Sequence, residues 1–266
     1  MVQTTNNRTT TQTDKKLSIQ ILLDGFSFCI QDFHSKEVLD QKHIAFSQKV
    51  SPNRLIEEIG SIYEEHTQLK SSFKQVTVVY ANNLYTLVPS ALFDENNLAD
   101  YLKFNTRLLK TDFLTYDSLP ALDLVNVYIP YTSVNNFFFD QYGSFDFLHA
   151  LTVILDKHVL SYTGLTPKIL INIYSSSFDI LVLKEGKLLL ANSFDYITKE
   201  DFIYYLLFTV EQLNLDPENV LMEMAGHITK ESDLYKLAYT YIREVSILEG
   251  DTKNIPKEDY LLSTLA

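Results

Sequence analysis

The sequence holds no tryptophan, one cysteine and only seven glycines, no two of them separated by a single residue. Each scarcity removes a class of chemistry. With Cys29 alone, no intrachain disulfide can form. A single thiol in an apolar stretch fits a buried small hydrophobe and a reducing cytoplasm. Without a glycine-x-glycine pair there is no dinucleotide-binding loop, and the Walker pattern is missing as well. No apolar run reaches the roughly 18 residues that a membrane helix needs, so no membrane insertion is expected. Basic clusters are missing too. Lys and Arg number 22 against 34 Asp and Glu, a net charge of −12, which disfavours nucleic acid as a partner. The acidity reads as ordinary solubility. The opening "MVQTTNNRTTTQTDKK" lacks the apolar core of a signal peptide. Its Thr, Asn and Gln content predicts a disordered tail over residues 1–15.

What is present is aromatic and aliphatic bulk. Seventeen Phe and seventeen Tyr sit in a chain of 266 residues that is 46% hydrophobic, enough for a full core. In "LSIQILLDGFSFCIQD", Leu17, Ile19, Ile21 and Leu23 alternate. Phe26, Phe28 and Ile30 continue beyond a turn at Asp24-Gly25, so a hairpin is predicted over residues 17–32. A third strand is expected near Val38–Phe46. Ser51 then reads as an N-cap and Pro52 as the first residue of a helix with Leu55, Ile56, Ile59, Ile62 and Tyr63 on its apolar face. "FKQVTVVYAN" is a near-continuous apolar strand, the kind that is buried on both faces.

The second half repeats this order. "PKILINIY" and "SFDILVLK" read as strands, and "GKLLLANSF" as a third entered through the Glu185-Gly186 turn. "TKEDFIYYLLFTVEQLNL" is a helix with a capping box between Thr198 and Asp201. "ENVLMEMAG" is a short strand stopping at Gly226. Both halves read strand, strand, strand, helix, strand, which predicts a duplicated unit. Residues 84–166 break the pattern. "TLVPSALF" leads into a helix capped by Asp94. "TDFLTYDSL" and "DLVNVYIP" read as strands, and "SVNNFFFDQYG" as a helix ending at Gly143. "SFDFLHAL" reads as a strand, and "TVILDKHVLSY" as a helix into the second unit. The Phe137-Phe138-Phe139 run is read as core.

A β-β-β-α-β unit used twice, headed by an aspartate-bearing hairpin, resembles the actin-like ATPase superfamily of ribonuclease H-like fold. That superfamily takes in actin, heat-shock chaperone ATPases, sugar kinases and pilus-assembly ATPases. More narrowly, the "LSIQILLDGFSFCI" opening and the "TLVPSALF" stretch resemble a family of uncharacterised bacterial proteins with an actin-like fold. The resemblance implies a first lobe over 16–166, with an inserted α+β subdomain at about 84–130, and a second lobe over 167–266. It also implies two hairpins that grip nucleotide phosphates, each with an Asp-x-Gly followed by small polar residues. There the glycine lets phosphate oxygens approach backbone N–H groups, and the aspartate orders a magnesium shell.

On this alignment Asp24 holds the aspartate position, Phe26 the glycine position and Ser27 the small polar position. In the second hairpin Asn172 and Tyr174 stand at the aspartate and glycine positions, followed by Ser175, Ser176 and Ser177. Ala225-Gly226 replaces a glycine pair expected beside adenine, and His227 follows it facing the cleft. Aromatic rings at both glycine positions would fill phosphate space, so ATP with magnesium is disfavoured and no cofactor is expected. The expected function is a non-hydrolysing binding or adaptor protein with an unidentified protein partner. The alternative is a divergent ATPase or small-molecule kinase in which Asp24 orders magnesium and the 175–177 serines hold phosphate. A structural role in an envelope or division assembly rests on fold analogy. Elsewhere, His149 after Asp146 and His158 after Asp156-Lys157 could be acid–base or metal groups but read as structural. No nucleophile-elbow pattern occurs.

Overall fold

The computed structural model describes residues 14–248 and 259–265. The chain begins with β1 (Lys15–Ile21), β2 (Gly25–Asp32), β3 (Val38–Ala45), α1 (Pro52–Glu65) and β4 (Gln75–Tyr80). Next come β5 (Tyr85–Pro89), α2 (Leu98–Leu102), β6 (Thr115–Leu119), β7 (Leu124–Tyr128), α3 (Thr132–Tyr142), β8 (Asp146–His149) and α4 (Ala150–His158). Then follow β9 (Lys168–Ile173), β10 (Ser177–Lys184), β11 (Lys187–Asp195), α5 (Lys199–Gln212) and β12 (Leu221–Gly226). The last elements are α6 (Asp233–Tyr241), β13 (Glu244–Ile247) and α7 (Tyr260–Thr264). No helix among the described residues is long and apolar enough to cross a membrane.

This is a mixed α/β architecture with three sheets. One five-stranded sheet runs β3-β2-β1-β4-β8 and another runs β11-β10-β9-β12-β13. In each, the first three strands pair antiparallel and the last three parallel. A smaller antiparallel sheet, β5-β7-β6, packs against α2 through Val88, Leu102, Val125 and Val127.

Strand alternation sorts side chains into layers. On the outer face of the first sheet, Leu17, Ile19, Ile21, Phe26 and Phe28 meet Leu55 and Ile59 of α1 and Phe138 of α3. On the outer face of the second, Ile169, Ile171, Ile173 and Phe178 meet Phe202 and Leu206 of α5 and Ala238 of α6. Leu170, Tyr174, Leu181 and Leu183 point the other way, into an inner core that they share with Val79 of β4 and Leu151, Ile154 and Leu155 of α4. Six consecutive residues of α4, Ala150–Leu155, are buried, so this part of the helix has cover on every side.

Local signals explain most boundaries. The two-residue turn between β10 and β11 places Glu185 at φ 55° and Gly186 at φ 70°, the left-handed pair a tight hairpin requires. The capping box of α5 is complete: Thr198 Oγ1 accepts from Asp201 N at 3.2 Å and Asp201 Oδ2 accepts from Thr198 N at 2.9 Å. Asp94 caps a 3₁₀ turn, Glu95–Asn97, that runs into α2.

Several expectations need correction. Of the residues 1–15 read as a tail, 1–13 lie outside the described residues. Lys15 already belongs to β1, and Asp14 O accepts from Phe33 N at 2.8 Å. Ser51 starts α1 without a side-chain capping bond; its backbone carbonyl accepts from Arg54 and Leu55 instead. Phe138 is wholly buried, but Phe139 is 64% exposed because the helical period turns it outward. Strand β5, helices α6 and α7 and strand β13 were not foreseen. Strand β13 is four residues long and lies at a sheet edge, too short for alternation to show.

The layering makes a direct prediction. Ile154→Ala on α4 should cost about 2–5 kcal/mol, whereas Leu160→Ala, half exposed just beyond the helix, should stay within about 0.5 kcal/mol. Denaturant midpoints of the two variants check this. Equal losses would remove α4 from the centre of the core.

Candidate functional site

Two turns face each other where the first and second sheets meet. In the first hairpin the last strand pair is Ile21 with Phe26, and Leu22 N donates to Gly25 O at 3.0 Å. In the second the last pair is Ile173 with Phe178, and Tyr174 N donates to Ser177 O at 2.9 Å. Leu22 and Tyr174 therefore occupy the same turn position, as do Asp24 and Ser176. The sequence alignment had set Asn172 opposite Asp24 and Tyr174 opposite Phe26. It ran alternation on through Leu23, whereas the chain leaves the strand at Ile21.

The consequence for Phe26 is a reversal of face. Its ring does not enter the cleft. It is fully buried in the outer core, 6.4 Å from Phe28 and 6.5 Å from Tyr63. Tyr174 does line the cleft. The turn carbonyls are committed: Leu23 O and Asp24 O accept from Val50 N and Phe46 N, and Tyr174 O and Ser176 O accept from Tyr196 Oη and Tyr196 N. Across the gap, Ser176 Oγ donates to Asp24 Oδ2 at 2.6 Å. One hydroxyl spans the distance between the two turns.

Beside this contact lies a cleft of about 270 Å³. Asp24, Asp179 and Asp195 face it, with Lys49 as the cation among its lining residues. Lys49 Nζ is 2.9 Å from Asp195 Oδ1 at the exposed rim. Asp179 is deeper. Its Oδ2 accepts from the Tyr174 hydroxyl at 2.7 Å and its Oδ1 from the Ser193 hydroxyl, while Tyr85 Oη lies 3.0 Å from Ser193 Oγ. Burial pushes the Asp179 carboxyl up to about 6, against the two hydrogen bonds, which pull it down. The same network raises the Tyr174 phenol well above its ordinary value, through burial first and the Asp179 charge second.

The far wall is held by a second buried polar cluster. His149 Nδ1 accepts from Leu151 N at 3.1 Å and so caps α4. That leaves Nε2 to donate to Asn82 O at 3.0 Å, fixing a cleft residue. Burial lowers the His149 imidazole to about 3, so the ring is neutral. Asp117 accepts from His149 N, Thr152 Oγ1 and Tyr128 Oη at 2.9, 2.7 and 3.0 Å. His158 Nε2 lies 2.5 Å from Tyr260 Oη and ties α4 to α7. Both histidines are structural, as the sequence suggested, and no cluster of three or more potential metal ligands occurs among the described residues.

With this geometry in hand, comparison with known proteins becomes informative. The sequence matches the model of a family described as protein of unknown function (DUF3822) over residues 4–245. The chain belongs to the DUF3822 family. No curated protein matches it in sequence. Among solved structures it is similar to a Bacteroides thetaiotaomicron protein with an actin-like ATPase fold and unknown function. The two are 24% identical with a TM-score of 0.84, and the match covers 96% of each chain. It is also similar to a chain of the PilM–PilN type IV pilus biogenesis complex, at 11% identity and a TM-score of 0.56, over 96% of this chain and 98% of that one. These likenesses show the fold, which is that of an actin-like ATPase.

Of the residues singled out in this DUF3822 chain, Asp24, Ser176 and Ser177 come together in the cleft. Ser27, Ser175, Gly226 and His227 do not line it. Ser27 is wholly buried on the opposite face of β2 from Phe26, its Oγ 2.8 Å from His43 Nδ1, and that nitrogen lies 3.3 Å from Asp259 Oδ1. Serine and aspartate share one ring nitrogen, so this is no relay from base to nucleophile. Ser175 is exposed on the turn. Gly226 has φ 84°, and a Cβ there would lie 2.2 Å from Ile173 O; the glycine serves the close approach of β12 to β9. The His227 ring packs 4.5 Å from that of His43, between the two sheets. Sequence reasoning missed Asp179, Ser193, Asp195 and Lys49. The one available signal was an aspartate inside the apolar run "SFDILVL".

Asp179 sets a pH dependence. Its folded value of about 6 lies above the ordinary carboxyl value of about 3.9. Its contribution to stability is therefore complete below about pH 4 and is lost as the pH rises through about 6. Asp179→Asn cannot ionise. Its stability should gain on the parent protein by about 2–3 kcal/mol between about pH 4 and 7. Denaturant titrations across that range test this. A difference that stays flat with pH would refute it.

Proposed function

We propose that this chain is a non-hydrolysing member of the actin-like fold, a binding or adaptor protein whose cleft has been remodelled away from magnesium nucleotide. The observation that carries the reading is the Ser176–Asp24 hydrogen bond of 2.6 Å. In the superfamily it resembles, phosphates lie between the two turns. Here a serine hydroxyl bridges them, and the carboxylate that would order a metal shell is engaged. Charge adds to this: three carboxylates against one paired lysine repel a polyphosphate. The space beside Gly226 is taken by the Ile173 carbonyl and Asn172 Oδ1. Mg-ATP does not fit these residues. Tyr174 contributes to the obstruction; Phe26 does not.

The reading includes a duplicated unit. We take residues 16–166 as one lobe, 167–266 as the other, and the β5-β7-β6 region, within about 84–130, as an inserted subdomain. The identical strand order of the two five-stranded sheets and the matching turn positions support the duplication. The small sheet with its own core supports the insertion. An adaptor role is supported by the fold likeness to a chain of a pilus biogenesis complex. A reducing cytoplasm suits the buried Cys29, whose thiol burial pushes up to about 12.

Calorimetric titration with Mg-ATP and a phosphate-release assay test the proposal. No turnover is expected, with any dissociation constant weaker than about 1 mM. The proposal is overturned by magnesium-dependent turnover that Asp24→Ala abolishes while circular dichroism shows the variant folded.

A further inference from the structure

We propose that the connection between α2 and β6 is a contact site for an anionic lipid surface. Phe104 and Leu109 enter the headgroup layer, and Arg107 and Lys110 meet lipid phosphates. The proposal is separate from the reading of the cleft, which is lined by other residues.

The first observation is which side chains the connection turns outward. Residues 103–114 run from α2 to β6 without regular structure. Leu102 just before them is fully buried, and Leu108 and Leu114 pack against the core of the small sheet. These three fasten the connection at its start, middle and end. Between them Phe104 is 83% exposed and Leu109 58% exposed. Leu109 thus points out beside a leucine that points in. A turn holds it there: Leu109 N donates to Asp112 Oδ2 at 2.7 Å, and Asp112 N to Leu109 O at 3.1 Å. Leu92, 71% exposed, is tied to the same helix, because its carbonyl accepts from the hydroxyl of Tyr101 at 2.7 Å. Single exposed apolar residues are ordinary, but several on one small subdomain mark an interaction surface.

The second observation is charge. Lys103, Arg107 and Lys110 fall within eight residues that hold no Asp or Glu, in a chain of net charge −12. Spaced four and three residues apart, they form no run in the sequence. Lys103 is paired with Asp100 at 2.8 Å. Arg107 and Lys110 are exposed and have no ion pair among the described residues. Asp112, the one carboxylate of the connection, is engaged by the Leu109 amide.

The two observations point to the same occupant. Phe and Leu interleaved with Lys and Arg settle at a bilayer interface, the apolar groups at the acyl boundary and the cations at the phosphates. A ring that is 83% exposed stands clear of the surface. A protein partner would need a cavity shaped to receive it, whereas a fluid bilayer closes around it. The cations select anionic over zwitterionic lipid. The acidic remainder of the chain opposes approach, but exposed charges are screened beyond about 8 Å at physiological salt. The contact is therefore local, peripheral and salt-sensitive.

Co-sedimentation of the full chain with extruded vesicles tests the proposal. One set holds equal phosphatidylglycerol and phosphatidylcholine, the other phosphatidylcholine alone. Partition onto the anionic set should be about tenfold stronger or more, and should fall at high salt. Phe104→Ser with Leu109→Ser, and separately Arg107→Gln with Lys110→Gln, should each lower it about tenfold, with near-ultraviolet dichroism unchanged. Ile197→Ser, at a residue 94% exposed on another segment, should keep the parent partition. The chain has no tryptophan, so Phe104→Trp supplies a sole reporter whose emission should shift to shorter wavelength on the anionic vesicles. If the serine pair fails to fold, this emission and the glutamine pair decide the matter. The proposal is overturned if the chain does not sediment with the anionic set, if both sets bind it equally, or if either folded pair keeps the parent partition. It is also overturned if Ile197→Ser loses as much as the pairs. A polyglutamate peptide that shifts the Phe104→Trp emission where vesicles do not would assign the loop to an acidic protein and overturn it too.

Discussion

Everything in this molecule depends on one helix whose first six residues have no solvent face. Ala150–Leu155 of α4 are buried without interruption, because inner-face residues of the second sheet cover one side and β4, β6 and β8 the other. Close packing leaves such a helix no freedom to shift. The separation of the two five-stranded sheets is then set by the diameter of α4 and its side chains. So is the distance between the turns at their ends. The bond from Ser176 to Asp24 exists because that separation lets one hydroxyl reach across.

Polar groups hold α4 in place as firmly as apolar ones. His149 caps its start and holds Asn82, and Asp117 gathers three donors from His149, Thr152 and Tyr128. At the other end His158 meets Tyr260 of α7. The C-terminal segment also covers the first sheet: Asp259 accepts from Gln41, and Lys16 donates to Leu265 O. These buried groups are costly unless satisfied, so together they specify one arrangement of sheets about the helix. The cleft inherits that rigidity, with its walls drawn from both five-stranded sheets and from the segment after β4.

The character of the cleft follows from which side chains this arrangement leaves facing it. Tyr174 just past β9 and Ser193 of β11 both donate to Asp179 of β10, so the second-sheet wall is already satisfied. Asp24 of the facing turn takes its hydrogen bond from Ser176. A fold that elsewhere surrounds phosphates with glycine backbone here presents carboxylates and a phenol.

Local pattern was enough to read the elements of the two repeated runs and their order, though not β5, α6, α7 or β13. Period-two alternation marked β1, β2, β9 and β10. The apolar stripe of α1 and the capping box of α5 marked those helices, and the Glu185-Gly186 turn marked the β10–β11 hairpin. These are short-range effects of backbone geometry and side-chain spacing. The face on which Phe26 lies was not legible, because it depends on where the chain leaves β1, and a one-residue change there exchanges the faces. Nor were the partners of Asp24 and Asp179. Ser176 lies 152 positions from Asp24 in sequence. Whether such residues touch is decided by how three sheets pack around α4, and no local propensity carries that distance. The sequence by itself determined the strands and helices of the two repeated runs, β1–β4 with α1 and β9–β12 with α5, and the buried character of Cys29. The tertiary structure alone decided that the two turns meet, that Tyr174 rather than Phe26 enters the cleft, and that the space left between them is acidic.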